Sequence, residues 1–131
     1  MRAMAIDTSA LIATILDEPE KGRLVELTRG ANLLAPGSQP WEMGNALAAM
    51  FKKGHVELKD ALATLEVFHS IPIQFVDVDL AKALEIANAL RIYAYDAYMI
   101  VCAVDYQAPL LTLDRALARQ AQTYNVSVPE I

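Results

Sequence analysis

The stretch Arg2–Leu16, RAMAIDTSALIATIL, decides how the rest of the chain is read. Apolar residues run from Ala3 to Ile6, a length that suits a short buried strand, and return from Ala10 to Leu16 as a helix. Between them stand one carboxylate and two hydroxyls, Asp7, Thr8 and Ser9. The residue types allow two readings of Asp7. It is either the N-cap of the helix that follows, or a functional carboxylate at the end of a buried strand. One aspartate does not separate them, so the remaining acids have to be located first.

DEPEKGRLVELTRG predicts a second helix, with Pro19 at its first position and Gly30 just past its end. Leu33–Ala35 reads as a short strand stopped by Pro36 and Gly37. In SQPWEMGNALAAMFKKG, Met43, Leu47, Met50 and Phe51 fall at helical spacing, Lys52 and Lys53 lie near the C-terminal end, and Gly54 follows. VELKDALATLEVFHS predicts an amphipathic helix with Leu58, Leu62, Leu65 and Phe68 or Val67 on its inner face. IPIQFVDVD is a strand placed towards an edge by Pro72. Leu80–Leu90 is a helix turning Ala83, Leu84, Ala87 and Leu90 inward, and Asp96–Tyr106, apolar nearly all round, is a buried helix. PLLTLD is a strand ending at Asp114, RALARQAQTY a helix, and VSV a last short strand. Strands alternating with helices predict one α/β domain over residues 1–131, a parallel sheet of about four or five short strands with helices on both faces.

The composition agrees with that reading. The chain has 131 residues, 55% of them hydrophobic and 21% charged, enough for an ordered domain with a real core. No apolar run reaches the roughly 20 residues of a membrane span, and the N-terminus lacks a signal-peptide pattern, so the expected location is cytoplasmic, with no membrane partner. The single cysteine, Cys102, lies inside the apolar run AYMIVCAV, which rules out an intramolecular disulfide and suits a buried structural thiol. A net charge of −5 argues against nucleic-acid binding unless several acids are gathered in one site.

The acids do fall in such a pattern. Ligands of open parallel sheets bind beyond the carboxyl ends of the strands, near the switch in strand order. Asp7 ends the first strand, Asp114 ends PLLTLD, Asp96 opens the buried helix before it, and Glu42 lies in the first turn after the second strand. Singly, each aspartate reads equally well as a cap, and Glu42 as a partner of its helix dipole. Together, four carboxylates on one rim repel one another and raise at least one pKa. Mg²⁺ or Mn²⁺ relieves that repulsion through oxygen ligands while keeping waters for chemistry. No His or Cys stands at zinc-ligand spacing.

The segments IDTSAL, WEMGNAL, YDAYMIVCA and LLTLDRAL resemble, in order and spacing and nearly end to end, the four motifs of PIN-domain ribonucleases. The short chain looks most like the VapC-type toxins of toxin–antitoxin pairs. This resemblance implies a PIN-like domain that hydrolyses RNA phosphodiesters with a metal-activated water. Position by position, it puts the acidic quartet of metal ligands and catalytic groups on Asp7, Glu42, Asp96 and Asp114. It puts orienting hydroxyls on Thr8 or Ser9 and on Thr112, and a small polar residue after the glutamate on Asn45. An RNA substrate, a cognate antitoxin covering the acidic groove and a homodimer are also implied, with the helices near Ala46–Phe51 and Leu58–Phe68 as candidate surfaces. Trp41, just before the glutamate, is less usual in that setting and is a candidate contact to substrate or partner.

With the quartet set aside, the rest of the chain is close to neutral. Arg115 and Arg119, one turn apart after Asp114, and the pair Lys52 and Lys53 are candidate RNA contacts; ordinary solvated surface is the competing reading. His55 and His69 read as surface residues, Asp79 as a helix cap, and Tyr93, Tyr95 and Tyr98 as packing beside the buried helix rather than as stacking platforms. Among rival functions, an aspartyl-phosphate phosphotransferase needs a second acid where Ser9 stands. A phosphorelay receiver needs an acidic pair after the first strand and a late lysine, and Asp7 stands alone. An inert module whose acids take a partner's arginines stays open.

Overall fold

The computed structural model describes residues 2–131. Strands β1 (Ala3–Ile6), β2 (Asn32–Pro36), β3 (Ile73–Val76) and β4 (Leu110–Leu111) pair in parallel in the order β3-β2-β1-β4. The chain lays β2 and β3 outward on one side of β1 and then crosses back to place β4 on the other. The order therefore switches between β1 and β4, and a crevice opens at the carboxyl end of that pair. The connections carry α1 (Thr8–Ile15), α2 (Lys21–Thr28), α3 (Gln39–Lys52), α4 (Leu58–Ser70), α5 (Leu80–Leu90) and α6 (Ala94–Asp105), and α7 (Arg115–Gln122) follows β4.

Alternation along each strand sorts side chains between two cores. Ala5, Leu34, Val76 and Leu110 point to one face, where α5, α6 and α7 supply Ala83, Ile86, Ile100 and Leu117. Met4, Ile6 and Leu111 point to the other, against Leu11 of α1, Leu24 of α2, Met43 and Leu47 of α3, and Phe68 of α4. The inner residues of α6 are buried from Ala97 to Ala103 apart from Tyr98, as a helix apolar on every side requires. Cys102 is among them; burial, and then the charge of Asp105, push its thiol up to about 12, so it is packing rather than chemistry. Among the described residues no helix is long and apolar enough to cross a membrane.

Some local features differ from the sequence reading. α2 begins at Lys21 rather than at Pro19, because Asp17 (φ 55°) and a bond from the Glu18 N–H to the Ala13 carbonyl fold the chain back off the end of α1. β4 ends at Leu111, since Thr112 and Leu113 are drawn into bonds with Asp7 and Ser9. VSV is not a strand: it meets β4 through one bond, Leu110 N–H to the Ser127 carbonyl at 2.9 Å. α4 packs through Ala61, Thr64 and Phe68, with Leu58, Leu62 and Val67 left exposed. In α5 Ala83 and Ile86 are buried and Ala87 and Leu90 pack against the same core, while Leu84 is 63% exposed. In both helices small residues allow a close approach to the neighbouring helix, and periodicity alone does not choose between adjacent faces.

Candidate active site

The carboxyl end of β1 decides one half of the question about Asp7. The residue occupies the N-cap position of α1, yet its side chain makes no capping bond. Asp7 Oδ2 instead accepts from Ser9 Oγ at 2.7 Å and from Thr112 Oγ1 at 2.8 Å. Those hydroxyls accept in turn from the Leu113 and Asp114 N–H groups, each at 3.0 Å. Each hydroxyl has one proton, so both are committed to Asp7, and the buried carboxylate is held between the ends of β1 and β4. A further bond, Asp7 N–H to the Leu111 carbonyl at 2.9 Å, continues the pairing of these strands past β1.

Asp114 is a cap. Its Oδ1 accepts from the Ala116 and Leu117 N–H groups at 3.0 and 3.1 Å at the start of α7. Asp96 sits in the first turn of α6, half-buried, and its carboxyl is raised by burial, then by the charges of Asp114 and Asp7. Glu42 sits in the first turn of α3, where its Oε2 accepts from Ser38 Oγ at 3.1 Å. Burial raises its carboxyl to about 7; the Ser38 bond pulls it down, and the charges of Asp7 and Asp96 push it up.

All four acids line one open groove of about 920 Å³. Thr8, Ser9 and Asn45 line it as well, and the buried hydroxyl of Thr8 has no hydrogen-bond partner. Thr112 acts from behind, through Asp7. Neither lysine nor arginine is among the lining residues. Arg115 lines a separate hollow beside Asp114, whereas Arg119, Lys52 and Lys53 are exposed elsewhere. The structure thus brings the acids and most of the orienting groups together but leaves the basic candidates outside the groove. Among the described residues, no three His, Cys, Asp or Glu side chains form a ready-made metal cluster.

One feature corrects the sequence reading and another lay outside it. Tyr93, Tyr95 and Tyr98 all line the groove; Tyr93 is 88% exposed and is not a packing residue, while Tyr95, also exposed, packs edge-to-face on Tyr98. Gln39, fully buried, donates its Nε2 to the Ile6 carbonyl at 2.6 Å, tying the start of α3 to the end of β1. The signal was present: Gln39, Met43 and Leu47 are spaced four apart on one helical stripe, and the first of them is polar.

The PIN domain family matches residues 4–122 of the chain. Among solved structures, PAE2754 from Pyrobaculum aerophilum is similar with a TM-score of 0.70 at 23% identity, covering 91% of this chain and 79% of that one. VapBC2 from Rickettsia felis, solved bound to a DNA fragment from their promoter, is similar with a TM-score of 0.65 at 17% identity, covering 97% of both chains. No curated protein matches the sequence.

Proposed function

The chain belongs to the PIN-domain family, and from that premise we propose that it is a Mg²⁺- or Mn²⁺-dependent endoribonuclease, the toxin of a VapBC-type toxin–antitoxin pair. The observation that carries the reading is a groove with four carboxylates, brought from four separate parts of the chain, and no lysine or arginine in its lining. The carboxyls of Glu42 and Asp96 are raised first by burial and further by the charges of neighbouring acids, with no cationic side chain in the lining to offset either. A hard divalent cation fits such a donor set. Magnesium is commonly held by one or two carboxylates, waters and substrate phosphate, so a groove without a complete protein cage suits it. Asp7, Asp96 and Asp114 are the proposed ligands, with Glu42 as a further ligand or as the base that positions water.

When bound, the ion supplies positive charge at the scissile phosphate and makes an attacking water easier to deprotonate. The chain's own groups do the rest. Ser9 and Thr112 hold Asp7 Oδ2 and leave Oδ1 for the groove. Asp114 spends Oδ1 on its helix and keeps Oδ2. Glu42 has Ser38 on Oε2, so Oε1 is the atom that takes the proton of the attacking water. Water adds to phosphorus in line, the P–O bond opposite breaks, and the leaving oxygen collects a proton. The cognate antitoxin, covering the acids, and a homodimer joining two grooves complete the proposed assembly.

The test is cleavage of a structured RNA pool with Mg²⁺, Mn²⁺ or EDTA, with Asp96→Asn protein purified in parallel. Discrete metal-dependent cuts absent from the variant are expected. Equal cutting by both proteins, or none, returns the groove to the inert reading in which its acids receive a partner's arginines.

A further inference from the structure

Beside the acidic groove lies a second hollow of about 370 Å³, walled by Ser38, Trp41, Val76, Asp77, Leu80 and Tyr98. The two are joined. Tyr98 lines both, and Ser38, in the wall of this hollow, donates its hydroxyl to Glu42 in the other. Trp41 adjoins Glu42 in sequence and leaves 74% of its surface in water.

A polynucleotide offers a protein two things to hold, phosphates and base faces. Neither lining contains lysine or arginine, and Asp77 adds another carboxylate, so this hollow repels a phosphate. It suits a base. Trp41 offers an open aromatic face, and Val76 and Leu80 an apolar wall. Tyr98 is steadied by an edge-to-face contact with Tyr95, ring centres 6.0 Å apart. Asp77 provides an acceptor for the N–H edge of a base. The volume accommodates a nucleobase with part of its sugar.

The geometry points to this hollow as the subsite for one unpaired nucleobase, stacked on Trp41, in the nucleotide beside the phosphate at the carboxylates. The inference rests on the nuclease reading above and deepens it by giving one base of the substrate strand a place in this hollow. A duplex keeps its base faces stacked inside and cannot fill the site.

Trp41 is the sole tryptophan, so its emission reports this hollow alone. Asp96→Asn protein in saturating Mg²⁺ is titrated with a short unstructured oligoribonucleotide and with the same strand annealed to its complement, binding being followed independently by anisotropy of an end label. The single strand is expected to quench Trp41 in step with binding, and the duplex to leave it bright. Binding of the single strand without quenching overturns the subsite, as does equal quenching by the duplex. Quenching by a short leucine–arginine peptide but not by RNA assigns the hollow to a protein partner and also overturns it. In active protein, Trp41→Ala should lower the ratio of oligoribonucleotide cleavage to hydrolysis of bis-para-nitrophenyl phosphate, which has no base, by on the order of tenfold, and Trp41→Tyr should restore most of it. An unchanged ratio counts against stacking. Should the wild-type chain hydrolyse neither substrate with Mg²⁺, the nuclease reading fails, while the quenching titration still decides the subsite.

Discussion

The two halves of the acidic groove are built in opposite ways. At the β1–β4 end, Asp7 receives two hydroxyl protons, Asp114 receives two backbone protons, and backbone N–H groups hold the hydroxyls in place. In the other pair, carried by α3 and α6, Glu42 has one hydroxyl contact and a carboxyl raised to about 7, chiefly by burial, while Asp96 is raised by burial and by its acidic neighbours. The first half spends hydrogen bonds to fix the positions of its carboxylates. The second leaves negative charge short of partners. In the reading proposed here, one pair fixes geometry and the other supplies the unmet charge that attracts a cation.

That contrast is most severely tested by Asp96→Asn. Cleavage should fall by on the order of a thousandfold, since the variant removes charge from the ion's surroundings. In EDTA, however, its melting temperature should equal or exceed that of the parent, because a repulsive neighbour of Asp7 and Asp114 is gone. A clear drop in melting temperature would mean that Asp96 is structurally paired and that the two pairs do not differ as described.

The braced pair should answer in the other direction. Ser9→Ala with Thr112→Val removes both hydroxyl donors to Asp7. Cleavage should fall by roughly 10- to 100-fold, the usual cost of losing the groups that orient a ligand. Stability should fall as well, by about 1–3 kcal/mol in a denaturant titration, because a buried carboxylate loses its partners. A variant that loses activity without losing stability would place these hydroxyls in the chemistry rather than behind it.

Gln39 connects the two pairs, and its effect should be smaller. Gln39→Leu breaks the bond from the start of α3 to the Ile6 carbonyl, one residue before Asp7. A loss of about 1–2 kcal/mol in urea is expected, with cleavage reduced several-fold as Glu42 and Asp7 lose their common tie. Stability and activity both unchanged would show that sheet and helix set this spacing without it.

How far the sequence disclosed all this follows the same division. The strands and the acids were legible because each announces itself locally: a short apolar run, then a carboxylate at its end, as in Ile6–Asp7 and Leu113–Asp114. Whether Asp7 caps or serves chemistry was not legible, since that depends on Thr112, brought to it from 105 residues away. The faces of α4 and α5 were legible only in part: Leu65, Phe68, Ala83, Ala87 and Leu90 do pack inward, but Leu62 and Leu84 obey the helical period as well, and only the neighbouring helices decide. Tyr93 was misread for a related reason: it borders a buried helix in sequence but stands at its exposed entrance.

The mildest test uses pH and no ribonuclease assay at all. Glu42 rises from its ordinary 4.5 to about 7 in the folded chain, chiefly through burial. Between those values the unfolded chain has released this proton while the folded chain retains it. The folded state binds more protons there, so metal-free stability should decline as pH climbs from about 4.5 to about 7 and level off above. Asp96, raised as well, adds to the decline with the same sign. Because the groove is open to water, the Glu42 contribution should be discounted to about 1 kcal/mol. Glu42→Gln should flatten that part of the slope, and saturating Mg²⁺ should flatten it in the parent by giving the ionised carboxylates a partner. A slope that Mg²⁺ leaves unaltered would mean that no cation sits near Glu42, and the loose pair would then be an acidic surface awaiting some other positive group.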